Sequence, residues 1–155
     1  MQRLSVMIAA LWWGGISAIS FVAVPTLFAG LGNPLVAGPV AARLFSLQCW
    51  GGLFLGAALL WILRGQRAAQ ADQGLTMPMS GQWALLTILG WVLAAMLLAL
   101  LQEFGVAHKI VNARATGGNL RLWHSVGTAM VLGQWLCTGV LLWRLSGLHS
   151  GRSRS

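Results

Sequence analysis

The chain has 155 residues, of which 57% are hydrophobic and only 8% charged. Ten basic and two acidic residues cannot cover the outside of a soluble domain this small, so a soluble fold is excluded and apolar surface must face lipid. The net charge of +8 is scattered between apolar runs instead of lining one helix face, which argues against nucleic acid as a partner and fits the short basic loops of a membrane protein.

Four charge-free stretches are long enough to span, since a helix needs roughly 20 apolar residues to cross the hydrocarbon. The first, "LSVMIAALWWGGISAISFVAVP", begins at Leu4. Its apolar stretch continues past Ser20 to Phe28, longer than the core of a cleaved signal, and reads as a retained helix. Ala10, Gly14 and Ala18 recur at spacings of four and predict a close-packed inward face. Pro25 near the end removes a backbone donor and disturbs the carbonyl of Phe21, which predicts a kink or the helix exit. The glycines and prolines of Gly30 to Arg43 then predict a tight irregular loop.

The second run, Leu44 to Leu63, carries Gly52 and Gly56 in "GLFLG", a second small-residue face. Arg64 to Gln82 reads as a polar, mobile loop. The third run, Trp83 to Leu101, places Ala95 and Ala99 at the same spacing. Helix formers continue without proline through Ala115, so the third helix is expected to project beyond the bilayer. The "TGG" that follows stops it, and Asn119 can cap the fourth helix, whose apolar run is Leu122 to Trp143. The expected architecture is all-α: a four-transmembrane-helix bundle, antiparallel up-down, over residues 1–145, with a basic cytoplasmic tail at 146–155. These runs lack the alternation of barrel strands, and helices satisfy their own backbones in lipid.

The basic residues set the expected orientation. Arg3, Arg64, Arg67, Arg144, Arg152 and Arg154 share one side, and Arg43, Lys109, Arg114 and Arg121 the other. Basic loops favour the cytoplasm, so both termini are expected there, in a bacterial inner membrane. Trp61, Trp83, Trp123 and Trp143 sit at run ends, where indole prefers the headgroup level. Trp12, Trp13, Trp50, Trp91 and Trp135 lie deeper and read as packing residues.

On the fourth helix, steps of about 100° place His124, Gly127, Thr128, Val131, Gln134 and Thr138 on one face. A polar stripe in lipid should point into the bundle or a wet cavity. Counting one membrane thickness along the third and fourth runs brings Glu103 and His124 to one depth. A carboxylate beside a histidine favours its charged form and suits proton transfer, and an interfacial ion pair fixing helix register accounts for the same placement. In either case Arg121 and Trp123 anchor the helix while His124 turns inward. A tighter hairpin would instead set His124 near Asn112 or His108.

Other chemistry finds little support. Cys49 and Cys137 lie at depths about 8 residues, or ~12 Å, apart if their runs start at one face, too far for a disulfide. Neither has a base nearby in sequence, and the acids form no dyad, so we expect no enzyme and no cofactor. His108 and His124, sixteen positions apart, form no ligand-spacing motif.

"PTLF" at Pro25 to Phe28, the Gly- and Pro-containing loop, "ARLF" at Ala42 to Phe45 and "HKIVNAR…LWHS" before the fourth run resemble a known family. The chain is similar to the bacterial transmembrane protein 205-like family, a four-helix domain of unknown function (number 4149). The resemblance picks out Pro25, Phe28, Phe45, Arg114 and His124. A proline common near the end of the third helix in that family is replaced here by "AHKI". The resemblance implies an integral membrane protein and brings no activity.

Three functional expectations remain. The first is a non-enzymatic accessory protein that packs against a membrane partner or a second copy through its helix faces. The second is a small oligomeric transporter or channel whose polar path uses Glu103, His124 and Gln134, with Arg43, Arg114 and His108 as further polar candidates. The third is a haem- or metal-binding redox subunit using His108 and His124.

Overall fold

The computed structural model describes residues 2–72, 79–106, 109 and 119–150, and among these it contains helix and no strand. Helix α1 (Gln2–Ser17) passes through a π-helical turn (Ala18–Ala23) into α2 (Val24–Leu31). Helix α3 (Pro34–Asp72) follows, then α4 (Met79–Leu100) with a second π-helical turn (Leu101–Val106), and finally α5 (Leu120–Ser150). Four stretches are long and apolar enough to cross a membrane: Arg3–Leu31, Pro34–Gln70, Gly81–Val106 and Arg121–Gly147. The all-α, four-span expectation holds.

Helix ends differ from expectation for local reasons. Pro25 neither ends nor breaks the first span, because a π turn directly precedes it. The N–H of Val24 reaches back five residues to the carbonyl of Ile19, and the widened turn gives room where the proline ring would press on Phe21. The span ends instead at Gly32, whose φ of 60° is the left-handed conformation that glycine adopts without strain.

The loop expected over Gly30 to Arg43 is a correction: the connection is only Gly32 and Asn33. Pro34 falls at the first helical position, where a missing N–H leaves no bond unmade. Asn33 Oδ1 accepts from the Leu35 N–H at 2.9 Å, and its carbonyl accepts from Val36 at 3.1 Å and Ala37 at 3.0 Å. Pro39, inside α3, removes one bond near the exposed start. The polar stretch from Arg64 is also helical as far as Asp72, since its Arg, Gln and Ala residues are helix formers. The projection expected through Ala115 is described only to Val106 and Lys109, and the rest lies outside the described residues.

Asn119 caps α5, its Oδ1 accepting from the Leu122 N–H at 3.1 Å. Helix α5 runs on to Ser150, so no helix end marks residue 145. Asn119→Ala should lower stability by about 1 kcal/mol. The loss should be local, read as faster amide exchange in the first turn of α5 and unchanged exchange around Leu141.

The spans pack in a ring: α1 against α3, α3 against α4, α4 against α5, and α5 back against α1. Ala9, Trp12, Ile16, Leu59, Val92, Ala95 and Leu141 are among the residues that fill the centre. The inward line of α1 is Ser5, Ala9, Trp12 and Ile16. That corrects the expected face of small residues, since Ala10 and Ala18 are exposed. A tryptophan replaces the small-on-small contact. Gly52 and Gly56 of α3 form a hollow that the Trp12 indole enters. A Cβ built on Gly52 would lie 2.7 Å from Trp12 Nε1, and one on Gly56 would lie 2.7 Å from Met96 Sδ and 3.0 Å from Trp12 Cη2. Ala95 and Ala99 of α4 are fully buried.

Candidate functional site

The polar side chains gather toward the end of the bundle where the two π turns lie. Gln134 Nε2 of α5 donates to Gln102 Oε1 at 2.7 Å, both residues being buried. The adjacent Glu103 is half-buried and accepts at Oε1 from the Ser46 hydroxyl of α3 at 2.6 Å, a short charge-assisted bond. Neighbours in one π turn therefore serve different helices, Gln102 reaching α5 and Glu103 reaching α3.

Helix α1 joins the same end. Trp135 Nε1 donates to Ser17 Oγ at 2.9 Å, and that hydroxyl donates to the Trp13 carbonyl one turn back at 2.8 Å. Trp13 and Phe21 flank the Trp135 ring at centroid distances of 5.6 and 6.0 Å. Thr138, fully buried, spends its hydroxyl on the Gln134 carbonyl at 2.9 Å and so does not link helices.

The predicted residues divide by depth. Gln134 and Thr138 face inward, Gly127 and Val131 are half-buried, and His124 and Thr128 are exposed. The expectation that His124 turns inward is thus corrected. The α4–α5 contact reaches Val106 opposite Gly127, and His124 lies almost one turn beyond. No hydrogen bond or ion pair joins His124 to Glu103, whose Oε1 accepts from Ser46. Arg43 is exposed on α3, one turn before Ser46. His108 and Arg114 lie outside the described residues. Pro25 and Phe28 are exposed and Phe45 half-buried. At the mouth of α5, Lys109 Nζ sits 5.8 Å from the Trp123 ring centre, a cation–π contact.

Sequence reasoning missed Ser17, Ser46, Gln48 and the partnership of Gln102. The signal was present in "LFSLQCW", where a hydroxyl and an amide interrupt an apolar run. Trp50, read as a packing residue, is exposed and meets Phe104 edge-on at 6.3 Å.

These groups can hold helices in register, accept or donate neutral hydrogen bonds, and present one carboxylate. Among the described residues no three of His, Cys, Asp and Glu gather closely enough to hold a metal ion.

The family model described as Domain of unknown function (DUF4149) matches residues 7–119. That stretch holds Gln48, Gln102 and Glu103 and ends before α5, so His124 and Gln134 lie beyond it. The transmembrane protein 205-like part of the resemblance rests on the motifs alone. No curated protein and no solved structure matches the chain.

Proposed function

Because the chain belongs to the family described as Domain of unknown function (DUF4149), we propose from its own geometry that this multi-pass integral membrane protein acts without catalysis, by packing against a membrane partner or a second copy. One observation carries the reading. Leu47, Trp50, Phe54 and Trp61 of α3 are all exposed and fall at steps of three, four and seven, which is one helix face. Gly51 and Ala57 beside them are exposed too, and nothing stands within 4 Å of a Cβ built on Gly51. Knobs next to hollows suit helix association in lipid, which relies on close packing because apolar burial gives no advantage there.

Photocrosslinking residues placed at Phe54 and Trp61 in native membranes test this. Each should give a protein adduct of defined mass, whereas Met7 and Leu11 on the outward face of α1 should give lipid adducts. Lipid adducts from all four positions would overturn the proposal.

A small transporter or channel is the second reading, supported by the buried Gln102–Gln134 pair beside Glu103. Trp12 and Met96 fill the centre of the bundle against Gly52 and Gly56, so its path would run between copies. The haem- or metal-binding alternative rests on His108, outside the described residues, and on His124, which faces outward. We place the protein in a bacterial inner membrane with both termini in the cytoplasm, supported by six basic residues against four. A reporter fused to either terminus reads this, and activity confined to the periplasm would overturn it.

A further inference from the structure

Each span contributes a polar side chain at nearly one depth. The Gln102–Gln134 hydrogen bond levels α4 with α5. Trp135 bonds Ser17 and touches Phe21, which brackets Ser20 at that level. Glu103 bonds Ser46 and Phe104 meets Trp50, which brackets Gln48. On α3, Gln48 shares its face with Ala41, Gly52 and Leu59, all buried, and so points to the bundle interior.

Gln48 is 6% exposed, yet neither its Nε2 nor its Oε1 has a hydrogen-bond partner within the protein, and the buried Ser20 Oγ has none either. An amide carries two donors and an acceptor with two lone pairs. Leaving such groups unpaired away from water is costly, which points to a partner from outside the chain. Both π turns border this layer, and such turns recur where a helix serves a ligand.

We infer that the layer binds a small neutral molecule able to donate and accept hydrogen bonds at once: water, or a hydroxyl or amide compound of similar reach. The orphaned groups are one amide and one hydroxyl, both neutral, which match such a molecule better than an ion. Gln48 offers it both ends of its amide, and Ser20 offers a hydroxyl. This site is independent of the partner face on α3.

Radiolytic hydroxyl labelling of the full chain in lipid nanodiscs tests it, because bound water delivers radicals to buried neighbours. Cys49, next to Gln48 and 1% exposed, is the reporter. Its labelling should be strong for so buried a thiol and fall several-fold in Gln48→Leu. Ser20→Ala, a smaller change, should lower it in the same direction. Added acetamide or glycerol distinguishes the occupants: protection of Cys49 in the parent but not in Gln48→Leu assigns an organic molecule, and no protection assigns water. An unlabelled Cys49, or labelling equal in parent and folded variants, would overturn the inference.

Discussion

Trp12→Ala should lower the stability of the solubilised protein by about 3–5 kcal/mol, the scale for truncating a large buried aromatic. The indole is 2% exposed and fills the hollow made by Gly52 and Gly56, so alanine leaves a void touching three helices. Reversible unfolding in mixed micelles reads the loss. Trp12→Phe should be far milder, since it keeps most of the ring and removes an indole N–H that is buried without a partner. The two residues should also be coupled. Gly52→Ala drives a Cβ to 2.7 Å from Trp12 Nε1, an overpacking worth about 1–3 kcal/mol. In the Trp12→Phe background that nitrogen is gone, and Gly52→Ala should become nearly neutral. Equal costs in both backgrounds would mean that the indole does not occupy this hollow.

Gln134→Leu should destabilise by about 1–3 kcal/mol, the penalty for stranding a buried hydrogen-bonding group. The stranded group is the Gln102 amide oxygen. Gln102→Leu should do the same to Gln134 Nε2, while the double variant should recover part of the loss, because two apolar side chains leave nothing unpaired there. The diagnostic quantity is this recovery: strictly additive single effects would deny that the two amides meet. His124→Ala, by contrast, should leave stability near the parent value, for the imidazole is exposed and joined to no described side chain.

The four spans were legible because uninterrupted apolar runs of membrane length have few other uses. Their ends were not. Glycine and proline in Gly30 to Arg43 read as punctuation, yet only Gly32 takes a turn conformation, while Pro34 begins a helix that the same composition seemed to forbid. Charges at Arg64 and Arg67 marked where the chain leaves lipid, which is different from where a helix stops.

Part of the polar site was legible. Stepping along α5 at helical spacing placed Gln134 and Thr138 on the inner face, because α5 is regular there. The partners were not legible. Matching depths by counting from run ends paired Glu103 with His124, whereas the helices overlap further along, and Glu103 meets Ser46. The π turns add a second obstacle. Each changes the phase of the residues after it, so a constant step cannot say which way Gln102 or Ser20 faces. Nor does small-residue spacing say which face will pack. Ala10, Gly14 and Ala18 offered the expected pattern, and Trp12, two positions along on another face of the helix, fitted the hollow better.

The length of α3 has a mechanical outcome. Its 39 residues rise roughly 58 Å, nearly twice a hydrocarbon core of roughly 30 Å. Leaning at about 40°, the steep end of the usual range, it still spans roughly 44 Å along the normal. About a third of this rod must therefore stand in headgroups and water. Arg64 and Arg67 lie on that helical extension instead of a slack tether, so their charges sit at fixed steps along α3.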